Sequence, residues 1–235
     1  MGQTLDILAF SAHPDDVELS CSGTLIKHIE QGFKVGIIDL TEGELGTRGN
    51  KEIRREEARK ATELMKISVR ENLQIPDGFF DLSQQNKLSV IKMIRKYKPR
   101  IVLANAISDR HPDHARAAQL VSEACFLSGL IKIDTGQNPH RPDQVYHYIQ
   151  DRFTKPDFII DISGYFDKKM ECVKAFRSQF YDPQSKENLT PISGPEFFSY
   201  LEGRAIEFGR LIGKLHGEGF TTERTAGINN FNALI

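Results

Sequence analysis

The sequence predicts an α/β protein with a Rossmann-like, mostly parallel sheet, helices on both faces and a C-terminal helical extension. Short apolar runs at residues 5–10, 35–41 and 100–105 each end in a polar loop, as buried strands do. Helical periodicity separates these runs, and such alternation of strand and helix favours a parallel sheet that is covered on both faces.

The first half of the chain supplies most of this pattern. Val17, Cys21 and Leu25 recur at helical spacing and Gly32 follows as a stop signal, so a helix is predicted over 17–31. The same reasoning predicts a short extended segment at 69–73 and further helices at about 51–66, 83–97 and 115–127.

The second half has a weaker pattern. It predicts a loop rich in Pro, Ser and Asn at 181–194, two later strands, expected as antiparallel additions, at 144–150 and 157–162, and helices at about 166–180 and 195–216. Gly209, Gly213 and Gly217 lie at helical spacing on the last helix and favour close packing against a neighbouring helix or another subunit. We interpret 1–235 as a single domain, whose part from about 140 onwards serves oligomerisation and forms the rim of a pocket.

Composition narrows the classes of function. The 235 residues carry a formal net charge of −1, which gives no electrostatic reason to expect nucleic acid or an anionic membrane as a partner. No apolar run approaches the ~18 residues of a membrane span. The first residues lack the features of a signal peptide, so we expect a cytoplasmic protein. Cys21, Cys125 and Cys172 are far apart and are predicted to be buried free thiols.

Two histidine-rich loops carry the chemistry. The sequence His-Pro-Asp-Asp at 13–16 follows the first predicted strand, and His-Pro-Asp-His at 111–114 lies in the loop after the strand at 100–105. Because ligands of such folds bind at the carboxyl ends of the strands, both loops should open at the same edge of the sheet. Catalytic zinc takes about three His, Asp or Glu ligands and keeps an open position. The two loops together therefore predict a metal site.

The motifs of other common α/β active sites do not match this sequence. A dinucleotide site has GxGxxG after the first strand and a serine hydrolase has a GxSxG elbow, whereas this chain has Ser-Ala-His-Pro-Asp-Asp at 11–16 and no GxSxG. Adjacent Asp15 and Asp16 are also typical of a phospho-receiver domain. That domain binds magnesium, which prefers oxygen ligands, so the three histidines argue against it.

On these motifs the chain resembles the LmbE-like, or PIG-L, family of zinc N-acetylglucosaminyl deacetylases. Residues 13–16 match the first motif of the family, (A/G)HPDD, and 111–114 match its second, HxDH. Similarity extends over nearly the whole chain, including the segments 41–49, 54–58, 178–180, 191–195 and 218–220. The later segments are most similar to the branch that makes bacillithiol, which deacetylates N-acetylglucosaminyl-malate.

The resemblance implies that His13, Asp16 and His114 ligate zinc and that Asp15 is the general base. The residues themselves agree, since two consecutive loop residues cannot easily face one metal, which leaves one carboxylate free for proton transfer. Ligands of this kind also suit Fe(II), Co(II) or Mn(II), so the metal stays open.

The remaining residues of the second motif are expected at the oxyanion. His111, as an imidazolium paired with Asp113, would stabilise the negative charge that develops on the acetyl oxygen. Arg54 and Arg110 match family positions beside the pocket, and Arg48 lies in the glycine-bearing loop. Guanidinium groups suit bidentate contact with carboxylates, so these three predict an anionic aglycone.

The predicted function is zinc-dependent hydrolysis of the N-acetyl group of an N-acetylglucosaminyl conjugate, with N-acetylglucosaminyl-malate as the candidate. The alternatives are an amidase for another glucosaminyl amide or thiol conjugate and a non-catalytic sugar-binding relative. A free base at Asp15 argues against the second alternative. The resemblance also implies a homo-oligomer, a hexamer built as a trimer of dimers, without nucleic acid or membrane partners. The role of His140 is left open.

Overall fold

The structure is a computed structural model that describes residues 4–228 and 230. Within them, seven strands form one sheet: β1 (Ile7–Ser11), β2 (Val35–Asp39), β3 (Val69–Asn72), β4 (Ile101–Ala104), β5 (Gln144–Tyr148), β6 (Phe158–Asp161) and β7 (Gly217–Thr222). The same residues form six helices: α1 (Asp16–Glu30), α2 (Lys51–Met65), α3 (Gln84–Tyr97), α4 (Pro112–Ser128), α5 (Phe166–Lys174) and α6 (Phe197–Leu211).

The sheet is mostly parallel, as predicted. Its strand order is β3-β2-β1-β4-β5-β7-β6, and the first five strands pair in parallel. The antiparallel strand is β7, which pairs with β5 on one side and β6 on the other. The expectation that β5 is an antiparallel addition is therefore wrong, because β5 continues the parallel ladder from β4.

Both faces of the sheet are covered, because successive side chains of a strand point to opposite sides. Leu8 and Phe10 of β1 pack into a core shared with α3 and α4. Ile7 and Ala9 pack into a second core shared with α1 and α5. A strand that is apolar on both faces is the one expected at the centre of a doubly covered sheet.

The C-terminal part differs from the prediction. The helix predicted over 195–216 ends at Leu211, and Gly213 lies beyond it with a φ of +68°. Gly217 begins β7 instead of continuing a helical stripe. A Cβ on Gly209 would lie 2.6 Å from the backbone nitrogen of His216, so the chain folds back across the helix at this glycine. The close packing expected of the glycines is therefore local, between the end of α6 and the start of β7.

The cysteines and the lengths of the helices were also the subject of expectations from the sequence. The three cysteines are free and buried, as predicted. In the part of the chain that the structure covers, every helix is too short or too polar to cross a membrane.

Candidate active site

The two histidine-rich loops meet where β1 and β4 end. These strands are neighbours in the sheet. The helices α1 and α4 begin within the two motifs, at Asp16 and Pro112, so Asp113 and His114 lie in the first turn of α4 rather than in a loop. A cavity of about 570 Å³ opens above them. It is lined by the two loops and by the segments 45–47 and 77–79. The C-terminal part of the chain contributes Gln150, Asp151, Gln179, Leu189, Thr190, Pro191, Ile192, Phe197, Tyr200, Leu201 and Arg204.

The backbone at Asp15 separates the two adjacent carboxylates. Asp15 has a φ of 121°, a conformation that costs a non-glycine residue about 1–3 kcal/mol and is found mostly at functional sites. Its Oδ2 accepts a hydrogen bond of 2.9 Å from Nη2 of Arg54, and the same nitrogen donates to the carbonyl of Pro14. Asp16 turns the other way, towards His114.

Two carboxylates contact Nε2 of His13. Its Nε2 donates to Oδ1 of Asp77 at 3.1 Å and to Oδ2 of Asp113 at 3.3 Å. With the proton on Nε2, the neutral ring has its lone pair on Nδ1, which lies 3.7 Å from Oδ2 of Asp16.

His114 has the same arrangement in the other orientation. Its Nδ1 donates to Oδ2 of Asp109 at 2.5 Å, and its Nε2 lies 3.1 Å from Oδ1 of Asp16. Histidines that ligate a metal usually donate their second ring N–H to a carboxylate or carbonyl. Both rings therefore have the orientation of a metal ligand, with Asp16 between their free nitrogens.

Two amide side chains orient Asp16, and neither was predicted from the sequence. Nδ2 of Asn105 donates to Oδ2 of Asp16 and Nε2 of Gln150 donates to Oδ1, each at 3.0 Å. The two amides also bond to each other at 3.0 Å. Asn105 directly follows β4 and Gln150 lies two residues beyond β5, so their signal was a buried polar residue at a strand end.

The charges around the two histidines favour a cation. Burial by itself would lower the pKa of His13, but hydrogen bonds to Asp113 and Asp77 and the charge of Asp16 raise it to about 10. Burial would also lower the pKa of His114, but the charge of Asp16 and the hydrogen bonds to Asp109 and Asp16 raise it to about 9. Without a metal each ring is therefore protonated at neutral pH. A divalent ion would replace the proton on the nitrogen that faces Asp16, and the same carboxylates would stabilise its charge.

The donor atoms also converge. His13, His111 and His114 each have a ring nitrogen within 4.8 Å of the others. Burial would raise the pKa of Asp16, yet the charges of His114 and His13 hold it well below its usual range, so Asp16 is ionised and available as a ligand. Mixed imidazole and carboxylate donors are those that zinc uses, and the site fits such an ion.

Asp15 has the properties of a proton acceptor near neutrality. Burial raises its pKa to about 7, the charge of Arg54 opposes this shift, and the charge of Asp16 adds to it. A general base works best when its pKa is close to the working pH. Asp15 lines the cavity, so a molecule bound there can reach its carboxylate.

His111 differs from the expectation of an imidazolium paired with Asp113. Its Nδ1 accepts a 3.3 Å hydrogen bond from the backbone N–H of Asp113, which places the ring proton on Nε2. Burial lowers the pKa of His111, and the charges of His13 and His114 lower it further. The carboxylate of Asp113 contacts His13 instead, so His111 is a neutral N–H donor and Asp113 supports His13.

Arg54 and Arg110, two of the three predicted substrate arginines, line the cavity. The guanidinium of Arg54 is already engaged, because Nη1 donates to Oε1 of Gln179 at 3.1 Å and Nη2 donates to Asp15. Arg110 is more open. Its Nε donates to Asp151 at 2.9 Å and its side chain is 43% exposed, so its terminal nitrogens remain for a ligand.

Arg48 and His140 lie outside the lining of the cavity. Nε of Arg48 donates to the carbonyl of Ser178 at 2.9 Å, and only 3% of the side chain is exposed. His140 bonds through Nε2 to the carbonyl of Pro99 at 2.8 Å. Both make structural contacts, which for Arg48 departs from the predicted substrate role.

Several exposed side chains that line the cavity are apolar. Leu45, Phe79 and Leu189 line it with 59%, 83% and 78% of their surfaces exposed. Single exposed apolar residues are ordinary, but several around one cavity mark a binding surface. We call these three residues the apolar rim.

The chain is similar to a family of deacetylases and to several known proteins. The family described as PIG-L: GlcNAc-PI de-N-acetylase matches residues 8–125. The solved structure of a conserved protein from Thermus thermophilus is 32% identical, with a TM-score of 0.88 over 97% of this chain and 99% of that chain. The diacetylchitobiose deacetylase of Thermococcus kodakarensis is 28% identical over 91% of this chain and 81% of its own length.

Two other relatives are named for different reactions. The 4-oxalmesaconate hydratase of Pseudomonas putida is 26% identical over 88% of this chain and 91% of its own length. A Bacillus anthracis protein named "Probable N-acetyl-alpha-D-glucosaminyl L-malate deacetylase 2" is 24% identical over 74% of this chain and 81% of its own length. These similarities do not single out the bacillithiol branch. Because the family match spans half of the chain and includes the first histidine motif and the second, the chain belongs to the PIG-L, GlcNAc-PI de-N-acetylase, family.

Proposed function

We propose that the chain is a zinc-dependent N-deacetylase that hydrolyses the acetamide of an N-acetylglucosaminyl conjugate. One observation carries this proposal. His13 and His114 are each held by carboxylates on one nitrogen and face Asp16 with the other, while Asp15 is held apart by Arg54. A metal-binding set beside a separate base is the arrangement that amide hydrolysis by an activated water requires.

Each residue then has a defined part. His13, Asp16 and His114 would hold the ion, which when bound supplies Lewis acidity to the amide carbonyl and to the attacking water. Asp15 takes a proton from that water as the oxygen bonds to the acetyl carbon. When the carbon–nitrogen bond breaks, Asp15 returns the proton to the nitrogen, so that acetic acid and the free amine leave.

His111 assists at the oxygen of the acetyl group. Because its Nδ1 accepts from the backbone, its Nε2–H is available to donate to the oxyanion of the tetrahedral intermediate. A preoriented neutral donor stabilises charge that develops in the transition state without a proton transfer of its own. This role does not require the imidazolium expected from the sequence.

The substrate class we propose is an N-acetylglucosaminyl conjugate with an anionic aglycone, N-acetylglucosaminyl-malate being the candidate. Arg110 supports it, because its terminal guanidinium nitrogens are open at the cavity and suit bidentate contact with a carboxylate. The similarity to the Bacillus anthracis protein points the same way.

An amine-release assay with metal content measured in parallel tests the proposal. The panel contains N-acetylglucosaminyl-malate, its methyl glycoside counterpart and diacetylchitobiose. We expect amine release that depends on bound zinc, with a preference for the malate conjugate that shrinks in Arg110→Met. Arg100→Met is the matched control, since Arg100 is exposed and pairs with Asp143 away from the cavity.

Two results would contradict the proposal at different levels. Equal kcat/KM on the malate conjugate and the methyl glycoside would refute the preference for an anionic aglycone but would leave the proposed deacetylase activity intact. If the zinc-loaded protein releases no amine from any of these amides, the proposed deacetylase activity is refuted. Hydration of an unsaturated dicarboxylate would then be the reaction to assay, because the chain is similar to the hydratase.

We also propose a homo-oligomer, a hexamer as the family resemblance implies. Exposed apolar side chains outside the rim, such as Ile131 at 82% and Leu215 at 73%, are compatible with subunit contacts. Light scattering coupled to gel filtration tests this, and a monomer at all concentrations would refute it.

A further inference from the structure

Asp77 joins the metal-site histidine to a loop of the cavity mouth. Its Oδ1 accepts from Nε2 of His13 at 3.1 Å, and its Oδ2 accepts from the backbone N–H of Leu45 at 3.0 Å. Its own N–H donates to Oε1 of Glu44 at 2.8 Å. Asp77 is 6% exposed, so these bonds are made with little competition from water.

Asp77 differs from Asp113, the other carboxylate on His13. Asp113 also accepts from Nη1 of Arg116 at 2.6 Å, and this guanidinium compensates its charge. Among the ion pairs of the described residues, Asp77 has His13 as its partner. Asp77 therefore holds His13 without an arginine paired to its own carboxylate, and its second oxygen is bonded to the loop at Leu45.

The same bonds hold the two segments that carry Leu45 and Phe79 of the apolar rim. Leu45 is fixed through its backbone to Asp77, and its side chain reaches Gly78, where a Cβ would lie 3.2 Å from Cδ1 of Leu45. Phe79 follows two residues after Asp77. The N–H of Gly78 donates to Asp113 at 2.8 Å, so the segment that carries Phe79 is tied to His13 through both carboxylates.

We propose that Asp77 is a positioning residue that orients the His13 ring so that its Nδ1 is free to bind the metal. Through its bond to Leu45 it also couples metal binding to the order of the loop 43–46. This inference rests on the proposed metal site. Since a bound ion fixes His13, it also fixes the carboxylate behind it and the loop bonded to that carboxylate. By linkage, order in the loop strengthens metal binding to the same extent.

Zinc affinity, measured by competition with a chelator, and amide exchange of residues 43–46 test the proposal without an activity assay. Asp77→Ala should weaken zinc binding by about 10- to 100-fold, as removal of a carboxylate behind a ligating histidine does. Asp77→Asn keeps an acceptor for His13, so it should lose less affinity. In the native protein zinc should slow exchange at 43–46, and in Asp77→Ala this slowing should disappear.

Two controls separate positioning from general damage. Glu44→Ala removes the loop bond to the Asp77 N–H and leaves His13 bonded. Exchange at 43–46 should rise, and zinc affinity should fall only by the part that loop order contributes, which is less than in Asp77→Ala. Glu42→Gln alters a residue of the same loop that pairs with Arg55 and should change neither quantity.

Zinc affinity of Asp77→Ala within about twofold of native, against the 10- to 100-fold expected, would overturn the inference. If this variant fails to fold, an unchanged affinity in Asp77→Asn together with unchanged exchange would do so. Absence of tight zinc binding by the native protein would instead refute the proposed function, and the inference with it.

Discussion

Replacing Arg54 by methionine should move the pH profile of the enzyme rather than its affinity for the substrate. Nη2 of Arg54 lies 2.9 Å from Oδ2 of Asp15, and the two side chains are only 6% and 7% exposed. Burial raises the pKa of Asp15 to about 7, and the charge of Arg54 opposes that shift. Without the guanidinium the pKa of Asp15 rises further, so the acidic limb of kcat/KM moves to higher pH.

The size of the shift follows from the geometry. Two unit charges 2.9 Å apart attract by ~6 kcal/mol at an effective dielectric constant of ~20, a gross value that is reduced when water enters the vacated space. An arginine beside a carboxyl commonly lowers its pKa by about one to three units. An upward shift of at least about one unit would reduce the ionised fraction of Asp15 at neutral pH from about one half to about one tenth.

Initial rates of amine release measured against pH test this prediction, with zinc content determined for each variant. Arg54→Lys retains the charge and should restore most of the profile. Arg55→Met changes the neighbouring exposed arginine, which pairs with Glu42, and should leave the limb in place. An unmoved limb with a raised KM in Arg54→Met would show that this guanidinium binds substrate, as the sequence suggested, and that its role on Asp15 is wrong.

Three further variants test the other parts of the site. Asp15→Asn should retain zinc and lose about 10²- to 10⁴-fold in kcat, because an amide cannot accept the proton; near-normal kcat would place the base elsewhere. His114→Ala removes the imidazole between Asp109 and Asp16, so zinc measured by elemental analysis should fall well below one per chain, and full occupancy would exclude it as a ligand. His111→Phe should lower kcat by about 10²-fold with KM and zinc retained; a kcat close to native would assign the oxyanion contact to another donor.

The centre of the fold was predictable because its elements are local. The apolar run at 5–10 and the polar loop after it identify β1, and the neighbouring position of β4 brings the two histidine motifs together. The position of β7 was not predictable. Its sequence begins Gly-Glu-Gly, and glycine is depleted in strands, so its structure depends on the two strands that flank it.

The motifs identified the candidate ligands but not the residues that support them. Asp77 stands 64 positions from His13 and Gln150 stands 134 positions from Asp16, and no periodicity links such pairs. Asp113 belongs to a motif, yet its partner is decided by packing. The carboxylate turns to His13 and Arg116, so reasoning from adjacency to His111 assigned it the wrong neighbour.

The place of β7 has a consequence for how the protein is made. It is the last strand of the described residues but lies between β5 and β6. Until residues 217–222 leave the ribosome, β5 therefore has an open edge, and open edges template aggregation. Glu218 of β7 also accepts from the backbone N–H groups of Gly23 and Thr24 in α1, the helix that begins at Asp16. A chain that lacks residues 217–222 would therefore lack both a closed sheet and the anchor of α1, and the site at the start of that helix would be complete only after these residues have been made.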